Sequence, residues 1–540
     1  MKITRTVFAL TLAALTVLSG CESAKAGGGS EPVVSTRAGK LRGSVTQSGV
    51  LSFKGVPYAE VGERFVPAHE VAKWDEIRSA TEYGKISSQM EFMSTNMVSD
   101  EVSGNDCQNL NIWTPAADGK KRAVMVWLHG GGFSSGSAQE TPAYDGENLS
   151  CSGDVVVVSV NHRLNVLGFL DLSAYGEKYR DSGNEGFLDI VSALEWVRAN
   201  IAQFGGDPKN VTVFGESGGG AKVLALMTSP RAKGLFHKAI IESGATETMG
   251  VSFMSKEAAQ YVAKVTLENL GVSPENVEDI QKVPFARLLA EGEKALQKAA
   301  LDLHIDGAFG AGSALMWEPV IDGDVLPTNP VLADGFAENG REIPLLIGSN
   351  INEWTTVPFL QDAEKSLNEW KNLSESQILA KARETYGENA EKILAEYKSA
   401  YPKKNGYDAL FIDTMIRLPI LKITAHKADQ KAGNVYSYIF AYGSPFSFHT
   451  FEIPYVFKNP ETSVMAHVKT DGVTDQKIAD MMSSLWISFA KTGKPAAKNV
   501  PAWEAYTRES GAVMILDDES YLARHHDEGL MKLLAPGYEW

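Results

Sequence analysis

The residues Gly215-Glu216-Ser217-Gly218-Gly219 carry the first chemical signal in this chain. They match G-x-S-x-G and stand between a β-prone run, Val211–Phe214, and a helix-compatible run, Ala221–Met227. A strained strand-to-helix turn lifts a serine hydroxyl clear of both elements. Flanking glycines let the strand and helix approach closely. Ser217 is therefore the candidate nucleophile. An ordinary glycine-rich turn shares this local pattern, so a second signal is needed. It comes from Trp127-Leu128-His129-Gly130-Gly131-Gly132-Phe133, at the end of another apolar run. Acyl transfer passes through a tetrahedral oxyanion, which needs fixed N–H donors in a dry site. Glycine backbone offers N–H groups that no Cβ obstructs, so Gly131, Gly132 and Gly218 are the candidate donors. His129 reads as a residue that orients the loop, not as a catalytic one.

These residues need elements to position them. Ala123–Leu128 and Val155–Val158 are continuous β-prone runs, as expected for strands buried on both faces. Later runs follow at Ala239–Ile241, Ile343–Ile347 and Val435–Phe440. Between Asn184 and Gly206, apolar residues recur at helical spacing until Gly205-Gly206 and Pro208 stop them. Strand and helix alternate, which implies an α/β sheet, mainly parallel. Short alternating runs from Val33 to Tyr58 predict a small antiparallel hairpin region. Charged helical tracts at about Lys256–Asp302 and Asp362–Tyr401 suit solvated helices laid over the sheet.

Further matches occur in order along the chain. They include Phe53-Lys-Gly-Val-Pro-Tyr-Ala59, Asp106-Cys-Gln-Asn-Leu-Asn111, Asn161-His-Arg-Leu164 and Gly183-Asn184. Phe204-Gly-Gly-Asp-Pro208, Pro319-Val-Ile-Asp-Gly323 and Trp503 continue the series. With the two glycine loops, this pattern resembles the type-B carboxylesterase family, which also contains the cholinesterases. The resemblance implies an α/β-hydrolase fold: a central, mostly parallel, twisted sheet flanked by helices, with helical insertions over the site. It implies a triad in the order Ser, acid, His. The acid falls in Gly348-Ser-Asn-Ile-Asn-Glu353, and the histidine is His449, ahead of Glu452-Ile-Pro-Tyr-Val-Phe457. The separations, 136 residues to Glu353 and 96 more to His449, mean that only the fold can assemble the site. Glu216 and Ser243 are expected to lie behind the triad and support it.

The implied activity is hydrolysis of small to medium carboxylic esters through an acyl-enzyme on Ser217, with no cofactor or metal. A narrower ester or amide hydrolase, acting on polyester fragments, phenolic esters or carbamates, is the alternative. A non-catalytic, cholinesterase-like binding protein is disfavoured because Ser217, Glu353 and His449 are all present. The chain also departs from the family. Trp354 follows the acid where Gly is usual, Gly218 stands where Ala is usual, and Asn165 replaces a common Gly. Met97 occupies the place of the cholinesterase tryptophan that binds quaternary ammonium, and Ser87-Ser88 replaces the family's upstream Cys partner. Both argue against choline specificity. Gly218 predicts a looser turn, and Lys222 reads as solvated or snorkelling. Trp317, Leu315, Trp354, Phe446, Phe448 and Phe451 are candidates for an apolar pocket or, taken singly, for core.

The amino terminus bears on location. Lys2 and Arg5 precede an apolar run, Val7–Leu18, too short to span a bilayer comfortably. Leu18-Ser19-Gly20-Cys21 resembles the lipobox of bacterial lipoproteins, in which the cysteine is lipidated. Residues 1–20 are thus read as a lipoprotein signal, 21–31 as a flexible tether and 32–540 as one catalytic domain, lipid-anchored at Cys21 in a bacterial envelope. A plain signal peptide cut near Ala26 is the alternative. The 540 residues carry a net charge of −16, and removing residues 1–20 takes two basic and no acidic residues, leaving −18. Such a balance repels nucleic acid. With three cysteines the chain is no disulfide scaffold; Cys107 and Cys151 either pair or stay as thiols, and thiols are preferred. His69, His237, His467, His525 and His526 have no motif around them and read as surface residues.

Overall fold

The computed structural model describes residues 31–91, 96–247, 251–305, 315–332, 335–336, 338–355, 363–443, 446–462 and 473–540. The expected signal, Cys21, nearly all of the tether and His467 lie outside these residues.

Eleven strands of the described chain form one sheet. In chain order they are β1 (Ser44–Val45), β2 (Leu51–Pro57), β3 (Asn109–Thr114), β4 (Arg122–Leu128), β5 (Val156–Val160) and β6 (Gly206–Glu216). Then come β7 (Lys238–Glu242), β8 (Leu345–Asn350), β9 (Val435–Phe440), β10 (Ala512–Leu516) and β11 (Tyr521–Arg524). Their spatial order is 11-10-9-8-7-6-4-5-3-2-1. Strands β4 to β10 run parallel to one another, and the antiparallel strands sit at the two edges.

Side chains alternate across the pleat, so each parallel strand feeds two cores. Val124, Val126 and Leu128 of β4 pack on one face, against Phe187, Ile190 and Leu194 of α1 (Glu185–Asn200). Met125 and Trp127 point to the other face, with Phe214, Ile240 and Leu346. There they meet Met482, Leu485, Trp486 and Phe489 of the long helix Val473–Thr492. Burial on both faces explains why these strands read as unbroken apolar runs. Gly205, in the left-handed region at φ 79°, caps the last turn after α1.

The helix after β6, α2 (Gly218–Thr228), is buried along its whole length. The charged tracts are helical as expected, at Lys256–Leu270, Phe285–Asp302, Ala363–Asn372, Glu375–Tyr386 and Ala390–Ala400. No helix among the described residues is long and apolar enough to cross a membrane.

Candidate active site

Ser217 ends β6 and begins α2, with φ 55° and ψ −123°, a conformation that L-residues rarely adopt. Its N–H donates to the Glu242 carbonyl at 2.9 Å, which ties the turn to the neighbouring strand. The glycines around it are sterically required. A Cβ on Gly219 would stand 2.0 Å from the Leu128 carbonyl oxygen, and one on Gly215 would meet the same oxygen at 2.6 Å. At Gly218 a Cβ would lie 2.1 Å from the Gly132 carbonyl oxygen. The turn is therefore not loosened by Gly218, as the sequence suggested. The backbone of the His129–Phe133 loop fills the space that a side chain would take. Gly131 and Gly132 both hold positive φ, 80° and 60°, so this loop is shaped for glycine. Gly132 thus packs directly against Gly218, the residue after the nucleophile.

Glu353 lies just after β8 and is wholly buried. Its Oε1 accepts from the Ser243 hydroxyl at 2.6 Å and from the Asn350 N–H at 2.7 Å. Its Oε2 is 2.7 Å from His449 Nδ1. The His449 backbone N–H donates to the Glu353 carbonyl at 2.9 Å, so main chain and side chain lock together. Ser243, also at positive φ (48°), is anchored through its N–H on the Gly348 carbonyl. The fold thus joins Glu353, His449 and Ser243 in one hydrogen-bonded group.

The other imidazole nitrogen, Nε2, faces Glu216 Oε1 at 3.3 Å. Among the described residues no hydrogen bond joins it to Ser217 Oγ; such bonds often tighten only when substrate arrives. Glu216 is buried, and burial pushes its carboxyl well above the usual range, against the opposing charge of His449. Burial disfavours the His449 cation, but Glu216 and the Glu353 hydrogen bond outweigh it and lift the imidazole to about 10.

Three residues near the acid and the histidine went unread in the sequence. Glu452, raised to about 7 mainly by burial, accepts from Asn350 Nδ2 at 2.6 Å. Buried Glu242 accepts from Trp486 Nε1 at 2.8 Å. Asp413, raised to about 6 mainly by burial, accepts from Trp354 Nε1 at 2.8 Å. Trp354 stacks on His449, with ring centroids 5.4 Å apart and planes 22° apart. Asp413 lies just before the Arg417–Asp429 helix and accepts from the N–H groups of Met415, Ile416 and Arg417.

Other expectations change. Lys222 is not solvated: it is wholly buried, and its Nζ donates to the His129 carbonyl at 2.8 Å. Burial pulls its amine down to about 7. His129 is buried and stacks on His162, with ring centroids 5.1 Å apart. Cys107 is a free, buried thiol as preferred, whereas Cys151 is disulfide-bonded, against the preference for thiols, and its partner is not Cys107. Trp317 and Phe451 are core residues: Trp317 donates to Glu293 and Phe451 packs against Tyr455. His526 is partly buried against Tyr401 rather than a free surface residue.

A mostly parallel sheet, a strained serine at a strand's carboxyl end and a buried Glu–His pair two strands away define an α/β-hydrolase arranged for acyl transfer. Comparison with known proteins agrees. Residues 30–531 match the model of the carboxylesterase family. Para-nitrobenzyl esterase of Bacillus subtilis (strain 168) is 35% identical over 504 residues, covering 90% of this chain and 95% of that protein. An esterase from Clostridium hathewayi, described as able to hydrolyse aliphatic aromatic polyesters, superposes with a TM-score of 0.80 at 34% identity, covering 93% and 97% of the two chains. A Geobacillus stearothermophilus carboxylesterase gives 0.73 at 35% identity, covering 93% and 100%. The chain belongs to the carboxylesterase family and is a serine hydrolase of carboxylic esters.

Proposed function

We propose that Ser217, His449 and Glu353 carry the hydrolysis of small to medium esters, with Gly131, Gly132 and Gly218 holding the oxyanion. The observation that carries this reading is the 2.7 Å contact between His449 Nδ1 and Glu353, which leaves Nε2 as the nitrogen available to the serine. Nε2 turns from Glu216 to the Ser217 hydroxyl, takes its proton as Oγ attacks the ester carbon, and passes that proton to the leaving alcohol. A water then attacks the acyl-enzyme by the same route, returning the acid and free Ser217. Glu353 holds the tautomer and stabilises the imidazolium. Ser243 and Glu216 act as positioning residues, one through Glu353 and the other against Nε2.

Short p-nitrophenyl esters test the reading. Wild-type turnover with loss of at least about 1,000-fold in Ser217→Ala is expected; equal turnover by both proteins would overturn it.

Hydrolysis of aliphatic aromatic polyester fragments is the narrower reading, supported by the similarity to the Clostridium hathewayi esterase. We also propose export and lipid anchoring at Cys21, supported by the Leu18–Cys21 pattern after a short apolar run. A fatty-acid label should attach to the wild type and not to Cys21→Ser.

A further inference from the structure

Lys222 has no part in the triad, yet it is a lysine with no solvent contact, one turn into the helix that follows the nucleophile. All its helical neighbours are glycine, alanine or apolar apart from Thr228 at the far end. Burying an amine in such surroundings is costly unless it is held. It is held by one contact above all, the 2.8 Å hydrogen bond from Nζ to the His129 carbonyl. The Phe133 ring centroid lies 5.5 Å from Nζ, on the other side of the same loop. Glu140 is the carboxylate whose charge favours the cation. The remaining titratable neighbours are His129 and His162, both buried and held neutral by that burial.

The loop from His129 to Phe133 needs such an anchor. Its three consecutive glycines have a wide choice of backbone angles, so their N–H groups point usefully only if neighbouring peptides are oriented. A peptide unit is planar and trans, so fixing a carbonyl on one side sets the next N–H on the other. At Gly131 the carbonyl is engaged by the N–H groups of Ser134 and Ser135, at 3.3 and 3.1 Å. At the loop's entry the His129 carbonyl is engaged by Lys222, which sets the plane of the Gly130 N–H, and the Gly130 carbonyl, sharing a peptide with the Gly131 N–H, lies 2.9 Å from His129 Nδ1. The segment between these two pinned carbonyls passes the nucleophile: a Cβ on Gly130 would stand 3.6 Å from Ser217 Cβ.

We propose that Lys222 is a positioning residue for the oxyanion loop: its amine pins the His129 carbonyl and so fixes the Gly130 peptide plane, from which the chain runs on to the Gly131 and Gly132 N–H groups. The inference rests on the oxyanion role given above to those three glycines. It assigns to helix α2 a second task besides presenting Ser217, since the same helix then holds nucleophile and oxyanion loop in register.

The test compares wild type with Lys222→Met, which keeps length and apolar bulk and removes the donor. Two readouts are taken: kcat and KM on a p-nitrophenyl ester, and the inhibition constant of an aryl trifluoromethyl ketone. That ketone adds reversibly to Ser217 Oγ; the O–C bond forms, the serine proton moves to His449, and the carbonyl oxygen becomes the bound oxyanion. Lys222→Met should lose about 10- to 100-fold in kcat, with KM within about twofold. Ketone affinity should fall by the same factor. Lys222→Gln, which keeps a polar end in the chamber, gives a milder effect of the same sign and serves if the methionine variant does not fold. A folded variant with wild-type kcat and ketone affinity overturns the proposal, as does a rise in KM at unchanged kcat. Failure of the wild type to bind the ketone at all overturns the oxyanion reading itself, and this inference with it.

Discussion

The two walls of the site are built from opposite materials. At the ends of β6 to β9 and just beyond, buried acidic residues crowd around His449: Glu216 and Glu353 in contact, with Glu452, Glu242 and Asp413 further out. On the side of β4, the wall is backbone: glycines at positive φ, with one buried amine beneath and two neutral histidines stacked alongside. Ester hydrolysis creates a cation on the imidazole and an anion on the carbonyl oxygen at the same moment. Each wall is charged against the ion that forms next to it. A carboxylate suits the first task, because it holds the imidazole tautomer and stabilises the cation; peptide N–H groups suit the second, because they are already aimed and cost no reorganisation.

The contrast predicts how each wall fails. The largest effect belongs to the carboxylate wall. His449→Ala should lower kcat by about 10,000-fold, and Glu353→Gln nearly as much through the wrong tautomer. Residual rates, measured with burst kinetics, should still exceed the Ser217→Ala background for Glu353→Gln. On the glycine wall, Gly131→Ala is strained twice, by its φ of 80° and by a Cβ 2.4 Å from the Ser135 carbonyl oxygen. It should cost about 100-fold in kcat while KM stays within about twofold. A loss confined to KM would mean that the loop binds substrate rather than its transition state.

The glycine wall was also the more legible one in the sequence. Gly215, Gly218 and Gly219 mark a close approach of backbones, and such approaches leave a local signature that needs no partner. The acid and histidine leave none: Glu353 is one of many glutamates until the order of motifs along the chain singles it out. Lys222 was misread because it was judged as a lysine. The helix around it, Gly-Gly-Gly-Ala-Lys-Val-Leu-Ala-Leu-Met-Thr, has no polar face, and a helix without one is buried all round. That signal was present. The stacking of Trp354 on His449 was not foreseeable, because it depends on how two loops after neighbouring strands meet.

A smaller effect separates charge from geometry on the carboxylate wall. The working base is the neutral imidazole, present above its pKa and lost as pH falls through it. Because Glu216 and Glu353 raise that pKa above the ordinary 6.5, the acid limb of kcat/KM should lie above 6.5 in the wild type. Glu216→Gln keeps the shape and removes a charge that favours the cation, so the limb should move down by about one pH unit. An unmoved limb would mean that Glu216 is already protonated when the enzyme works, and that Glu353 alone supports the cation.

The smallest effect tests the ring that stacks on His449. Trp354 stands where the resemblance implies a glycine, and it offers its face to an imidazole that becomes cationic in the reaction. Its indole N–H is held by Asp413, so the ring is fixed rather than merely nearby. Such a cation–π contact stabilises the imidazolium by about 0.5–1 kcal/mol, or about two- to fivefold in rate. Trp354→Gly should therefore lower kcat by that factor and shift the acid limb slightly down. Trp354→Phe, which keeps a ring but loses the bond to Asp413, should fall between. If the glycine variant matches the wild type in both rate and pH profile, the stack only fills space, and the support of His449 is wholly a matter of carboxylates.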